Sequence, residues 1–362
     1  MKPLNFTLCT TNFLYETYYL RYLHKTIPYY KLNERLNSIA NCKQLEGDII
    51  VCQEFGYRTG RLNTEGECRI GKTLKPKSEV LKENHVELFE EIINKKFPSE
   101  KYESCRDNKN KSAGLCVFYN KNLFTFEEQT FLRWKPRSKK LKSTISPIHV
   151  GSKKIQTVIL KAKNDVRLGI INIHAPRYNY EESKDQSTCK FIFSQINEVL
   201  ANYEQKKPNF WMMAGDFNFN IHGEYLQRYQ HLREIFPIKN WVDQYQQFGN
   251  DCIDWTAIEK IQPFSIDYIF WSNRKQLKAK TINKFPKNFN KLIRIDRNEE
   301  KNKTQNEKGK ENENEKEKEK EQEQEQEQEK ENKKVEDKNQ ENIDMHYSDH
   351  CLLKIDFELE HN

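Results

Sequence analysis

The chain has 362 residues, 36% of them hydrophobic and 32% charged, with a formal net charge of +7. That length suits one large domain or two small ones, and the composition is polar for a compact globule. No run of about 18 apolar residues occurs and no apolar stretch precedes the first strand, which argues against a spanning helix and for a soluble intracellular protein, cytoplasmic or nuclear.

In chain order, a first strand is predicted over Asn5–Thr10, with Asn12 just beyond it. Leu32, Leu36, Ile39 and Ala40 then share a helical face. Asp48–Cys52 is a second strand, and Gln53 and Glu54 follow it. Val86, Phe89, Ile92 and Ile93 mark a second helix. Strands are predicted over Gly114–Tyr119, Gln156–Lys161 and Val166–Ile173, the last ending in His174. Phe191, Phe193, Ile196, Val199 and Leu200 mark a third helix. The strand Asn209–Ala214 leads into Gly215-Asp216-Phe217-Asn218, and a fourth helix is expected over Tyr225–Ile235. Phe264–Trp271 reads as a strand interrupted by Asp267. Cys351–Leu359 alternates cleanly, with Leu353, Ile355 and Phe357 on one side and Lys354 and Asp356 on the other. Strands and helices mix along the whole length without a regular β-α-β alternation, which predicts packed layers of sheet and helix in one domain.

Asn298 to Asn342 stands apart. Val335 is almost its only apolar residue, and Glu occupies every odd position from Glu311 to Glu331. Such a segment cannot bury enough surface to fold and is expected to be a disordered insertion. It divides a catalytic domain made of residues 1–297 and 343–362. It holds 11 Lys against 17 Asp and Glu, a net of −6, which leaves +13 on the other 317 residues. A basic globular part fits an anionic partner such as nucleic acid, a phosphoinositide or an anionic membrane, and an ordinary solvated surface competes with that reading. The nine cysteines form no C-x-x-C pair. Cys9, Cys52, Cys116 and Cys351 lie in apolar runs, as buried free thiols do in a reducing compartment.

The polar residues at the ends of these apolar runs carry the chemistry. Isolated buried acids are costly, so several at strand ends point to one shared polar site. Glu54 suits a hard cation such as magnesium. Asp216 and Asn218 are two apart and share a side if the strand continues through them. Gly, Asp and Asn are also turn formers, so a turn competes with catalysis there. Asp267 inside an apolar run calls for a partner, and a carboxylate holding a histidine is a common solution.

Taken together, Asn12, Gln53-Glu54, His174, Gly215-Asp216-Phe217-Asn218, Asp267-Tyr268-Ile269 and Ser348-Asp349-His350 resemble the endonuclease/exonuclease/phosphatase superfamily, the fold group of deoxyribonuclease I. The resemblance runs from about Asn5 to Leu359, apart from the insertion. It implies an α/β fold of the α+β type. This is a four-layer sandwich of two packed mixed β-sheets flanked by helices, with the active site at one end of the sheets. It also implies cleavage of phosphate esters with Mg2+ or Mn2+. Glu54 would be the principal metal ligand with Asn12 beside it, and Asp349 a second metal-site carboxylate. Asp216 would orient or deprotonate the attacking water, and Asn218 would hold the phosphate. His350, supported by Asp267, would contact the scissile phosphate or move a proton. His174 would stabilise the phosphate or protonate the leaving group, and Arg177 joins His174 and Asn218 as a substrate-binding candidate. Deoxyribonuclease I places a Glu on the strand matching Gly114–Phe118 to pair with its first histidine, and no Glu stands there in this chain.

The leading expectation is a metal-dependent nuclease acting on RNA or DNA. The basic stretch Arg133-Trp134-Lys135-Pro136-Arg137-Ser138-Lys139-Lys140 supports it, because lysine and arginine bind the phosphate backbone and aromatics stack on bases. The alternatives are a phosphoinositide or inositol-phosphate phosphatase or a sphingomyelinase-like phosphodiesterase, and, in a different class, an inactive binding module.

Overall fold

The structure is a computed structural model that describes residues 3–13, 39–55, 68–70, 73–75, 84–106, 114–134, 154–175, 187–203, 208–218, 241–248, 257–259, 262–264, 267–285 and 352–360. Its strands are β1 (Leu4–Asn12), β2 (Ile49–Phe55), β3 (Cys68–Ile70), β4 (Thr73–Lys75), β5 (Tyr102–Arg106), β6 (Gly114–Asn120), β7 (Phe124–Arg133) and β8 (Lys154–Ala162). They continue as β9 (Arg167–His174), β10 (Phe210–Asp216), β11 (Trp241–Asp243), β12 (Ala257–Glu259), β13 (Gln262–Phe264), β14 (Asp267–Ser272), β15 (Leu277–Phe285) and β16 (Leu352–Leu359). The helices are α1 (Asn84–Lys96), α2 (Ser187–Asn202) and the short α3 (Gln244–Phe248).

Two six-stranded sheets carry the fold. The first has the order β15-β16-β1-β2-β6-β5, the second β11-β14-β10-β9-β8-β7. Both are mixed: β1 runs parallel to β2 and antiparallel to β16, and β10 runs parallel to β9 and antiparallel to β14. The strands alternate between two buried faces. Phe6, Leu8, Ile49, Val51 and Ile355 of the first sheet meet Val158, Leu168, Ile170, Met212, Ala214 and Ile269 of the second in one core. Cys9, Ile50, Cys52 and Phe118 point the other way, onto Phe89, Ile92 and Ile93 of α1. Ile171, Ile173, Met213 and Phe270 point onto Phe193, Ile196 and Val199 of α2. Helix, sheet, sheet and helix are therefore the four layers, as sheets buried on both faces require.

Differences from the sequence reading are local. The expected strand Phe264–Trp271 is two pieces: β13 pairs with β12, and β14 begins at Asp267. β2 and β10 run on to include Glu54 and Asp216: β10 stays in register with β9 and β14 to that point, whereas β2 reaches Phe55 through a register shift against β6. β3, β4, β5, β7, β11, β12 and β15 carry no strand signal in the sequence. Of the helix expected from Leu32 to Ala40, the part at 39–41 is described and helical. The helix over Tyr225–Ile235 and the insertion Asn298–Asn342 lie outside the described residues.

Candidate active site

The inner faces of the strands change character towards one end of the sandwich. Leu8, Val51, Val158, Ile170, Ala214 and Ile269 form an apolar tier. Two residues further on stand the buried polar groups Thr10, Gln53, Gln156 and Asn172. At the end of the strands come Asn12, Glu54, His174, Asp216 and Asp267, all buried. The two-residue repeat of a strand produces these tiers. In the second sheet the last tier is one row: Asp216 pairs with His174 on one side and with Asp267 on the other.

Glu54 reaches this tier by breaking the repeat. Cys52 pairs with Cys116 but Phe55 pairs with Gly114, so β2 carries one more residue than β6 over that span. Glu54 takes the extra place with φ 49°, a left-handed conformation uncommon outside glycine. Consecutive residues of a regular strand face opposite sides. Here both face the second sheet: the Gln53 amide donates to Asn172 Oδ1 at 2.9 Å, and Glu54 Oε1 lies 3.3 Å from His174 Nε2. Cys52 and Phe55, on either side of the bulge, both return to the outer core.

Asp216 is held from three directions. It accepts from the backbone N–H of Asn218 at 2.8 Å, from the Asn218 amide at 2.9 Å and from the Asn12 amide at 3.2 Å. His174 Nε2 lies 3.5 Å from its Oδ2. The strand does not continue to Asn218, as the two-apart argument assumed. β10 stops at Asp216, and Asn218 has φ 54° and folds back in a turn whose first residue is the acid itself. Asn218 also donates to the Ala175 carbonyl at 2.9 Å, which ties the turn to the end of β9. The turn and the site are thus one structure, since an Asx side chain closing on its own downstream N–H supports this geometry.

Gly215 is needed for close approach. Its φ is +136°, and a Cβ there would sit 2.1 Å from the Ile173 carbonyl oxygen and 2.9 Å from Gln53 Nε2. The tight passage lets the Gln53 amide slip beneath the acid-bearing turn.

Several supporting residues escaped the sequence reading. Gln244 accepts from the Ile269 N–H at 2.7 Å and donates to the Asp267 carbonyl at 3.1 Å, gripping the start of β14. Trp134 Nε1 donates to the His174 carbonyl at 3.1 Å. Gln156 and Asn172 sit in apolar runs on the inner face. A buried amide at the strand repeat, just below the acidic tier, is the signal that could have found them. At the same end of the first sheet, the Arg106 guanidinium pairs with Glu90 at 2.8 Å and lies 5.0 Å from the Phe55 ring.

Asn12, Glu54, His174, Asp216, Asn218 and Asp267 are therefore brought together at one end of the two sheets. Asp349, His350 and Arg177 lie outside the described residues. β16, the strand that follows Asp349-His350, begins at Leu352, and Leu353 pairs with Thr10 near that same end. Among the described residues, no group of three or more His, Cys, Asp or Glu is placed to hold a metal ion by itself. The donor set nevertheless fits a hard divalent cation. Magnesium takes one or two carboxylates and fills its remaining places with water and substrate phosphate. The carboxylates of Glu54 and Asp216 and the amide of Asn12 supply oxygens of that kind.

No family profile and no curated protein matches the chain. Solved structures do. ANGEL2, a 2',3'-cyclic phosphatase solved with adenosine-2',3'-vanadate, aligns with a TM-score of 0.57 and 13% identity, over 99% of this chain and 97% of its own. The human Nocturnin catalytic domain aligns at 0.52 and 12% identity, over 99% and 96%. An endonuclease/exonuclease/phosphatase from Bacteroides vulgatus aligns at 0.51 and 14% identity, over 99% and 100%. The chain shares its fold with these structures, one of them an endonuclease/exonuclease/phosphatase, and that fold is the deoxyribonuclease I-like sandwich that its motifs resemble.

Proposed function

We propose that the protein is a divalent-metal-dependent hydrolase of phosphate esters, and specifically a nuclease that cleaves phosphodiester bonds in RNA or DNA by attack of water. The observation that carries this reading is the approach of two carboxylates, Glu54 and Asp216, to one imidazole nitrogen of His174, at 3.3 and 3.5 Å. The fold shared with ANGEL2 and Nocturnin supports it, as does the basic charge outside the insertion.

In this reading Glu54, with Asn12 beside it and Asp349 as a second carboxylate, holds Mg2+ or Mn2+. The bound ion supplies positive charge that offsets the phosphate oxygens as bond order shifts in the transition state. Asp216, fixed by Asn12 and Asn218, orients the water and accepts its proton. The water oxygen bonds to phosphorus while the ester P–O bond breaks, and His174 or His350 delivers a proton to the departing oxygen. Asn218 and Arg177 bind the phosphate, and Asp267 supports His350. Buried, pre-oriented dipoles are effective here because they need no rearrangement during the reaction.

The test offers purified protein single-stranded RNA, duplex DNA and a phosphoinositide panel, with MgCl2 or with EDTA, and repeats each with Glu54→Ala. Metal-dependent oligonucleotide cleavage that Glu54→Ala removes supports the reading. Release of inorganic phosphate from phosphoinositides without oligonucleotide cleavage moves the substrate to the lipid class. Metal-independent cleavage, or none on any substrate, overturns the proposal.

A further inference from the structure

The buried amides beneath the site form a continuous bridge between the two sheets. Thr10 Oγ1 accepts from Gln53 Nε2 at 3.2 Å. The same nitrogen donates to Asn172 Oδ1 at 2.9 Å. Asn172 Nδ2 faces three oxygens: the Cys52 carbonyl at 3.0 Å, the Cys116 carbonyl at 3.2 Å and Gln156 Oε1 at 3.0 Å. Gln156 Nε2 then donates to the Cys105 carbonyl at 2.7 Å. Asn172, Gln53 and Gln156 are all fully buried. One asparagine on the second sheet thus clasps three strands' worth of polar groups, two of them backbone carbonyls of the first sheet. One of those carbonyls belongs to Cys52, where the bulge carrying Glu54 begins.

We infer that Asn172 is a positioning residue for Glu54. It binds both ends of the segment that leads into the bulge, the Cys52 carbonyl and the Gln53 side chain. It stands two residues before His174 on the same face of β9, so one strand sets the distance between the imidazole and the bulge. A left-handed glutamate is strained and persists only where its surroundings over-determine it. The polar bridge over-determines it, because the directed hydrogen bonds of Asn172 to the Cys52 carbonyl and the Gln53 amide fix one position of β2 against β9. Gly215 belongs to the same device: a side chain there would meet the Gln53 amide at 2.9 Å.

This inference rests on reading Glu54 as a metal ligand, and three measurements separate the two ideas. The first compares wild type, Asn172→Ala, and Val158→Ala as an inner-core truncation matched for lost stability. It follows Mg2+-dependent hydrolysis of a phosphodiester, well below each melting temperature. Outer partners of metal ligands typically contribute about 10–100-fold, so Asn172→Ala is expected to lower kcat about that much with little change in KM. Val158→Ala is expected to keep kcat. The second is the Mg2+ concentration that half-saturates the metal-induced rise in melting temperature, which is expected to increase in Asn172→Ala alone. The third is a crystal structure of Asn172→Ala, in which Glu54 is expected to have left the left-handed region and the contact with His174. If Asn172→Ala does not fold, Gln53→Met, which keeps the volume and removes the links, is put through the same measurements.

Loss of stability with unchanged kcat and an unchanged Mg2+ midpoint overturns the inference. If wild type shows neither hydrolysis nor a response to Mg2+, the functional reading has failed. The crystal structure then decides the positioning claim alone: Glu54 unmoved in Asn172→Ala overturns it, and Glu54 displaced sustains it.

Discussion

Glu54 Oε1 and His174 Nε2 stand 3.3 Å apart although they belong to different sheets. The contact crosses the sandwich at its polar end, where Glu54 is turned inward by a bulge and His174 by the ordinary alternation of β9. Because no Glu stands on β6, the carboxylate next to this histidine comes from the strand beside it. The same carboxylate is the metal ligand proposed above.

Removing it has a clear consequence. Glu54→Gln keeps the shape and loses the charge. Its Mg2+-dependent turnover is expected to fall at least about 100-fold, beyond the usual effect of an outer-shell partner. The far-ultraviolet dichroism should stay as in wild type. Steady-state kinetics across a Mg2+ titration checks this, and turnover within twofold of wild type would falsify the ligand assignment.

Gly215→Ala tests the close approach. The new methyl group meets the Ile173 carbonyl and the Gln53 amide in a backbone conformation that side chains avoid. Strain and overpacking together are expected to cost about 2–4 kcal/mol. Urea denaturation monitored by tryptophan fluorescence measures the loss. Unchanged stability would mean that β10 and β9 separate more easily than their pairing suggests.

How much of this was legible beforehand follows a physical rule. The strands found in sequence are central ones: most are buried on both faces and rich in Val, Ile, Leu and Phe, and β16 shows a clean apolar–polar alternation. Within the two large sheets the strands missed, β5, β7, β11 and β15, are the four edges; the short hairpin strands β3, β4 and β12 were missed as well. β15 reads Leu-Lys-Ala-Lys-Thr-Ile-Asn-Lys-Phe, and β7 carries Glu127 and Glu128 in its middle. Edges are kept polar to prevent pairing with other chains, which erases the signal that identifies a strand. The site shows the same division. Asp216 and His174 were legible because they end apolar runs. The bulge at Glu54 and the amide of Gln244 act through contacts across the fold that no local pattern reports, whereas Asn172 and Gln156 left only the faint signal of an amide at the strand repeat.

Trp134 is a supporting contact of that second kind. Trp134→Phe keeps the ring in its core and removes the hydrogen bond to the His174 carbonyl. A buried carbonyl left without that donor is expected to cost about 1–3 kcal/mol. Differential scanning calorimetry reads the stability, and kcat is expected to fall less than tenfold because the imidazole itself keeps its neighbours.

The cysteines predict an alkaline limit. Burial pushes the thiols of Cys9 and Cys105 up from 9.0 to about 12, and raises Cys52 and Cys116 as well. The folded state therefore keeps protons that the unfolded chain releases. The stabilisation is complete below pH 9 and is lost as pH rises towards 12. Each such thiol removes about 1.4 kcal/mol per pH unit in that window. Denaturant midpoints should be flat through these groups up to pH 9 and fall steeply above it. A thiol reagent at pH 7.5 should leave these four unlabelled until the protein unfolds, since burial and the missing thiolate both protect them.

The pairing of β15 with β16 has a consequence for the chain's length. Phe285 and Leu352 are direct partners, so the two anchors of the connection 286–351 stand at adjacent points of the first sheet. The span between those anchors is fixed by the sheet whatever lies between them. Closing a longer connection across a fixed gap adds only about 0.6 kcal/mol for each doubling of its length. This hairpin is therefore a port at which the protein can gain or lose sequence almost freely, and the port opens a few residues from Ser348-Asp349-His350. Variation in the length of that connection would leave the pairing of β15 with β16 unaltered.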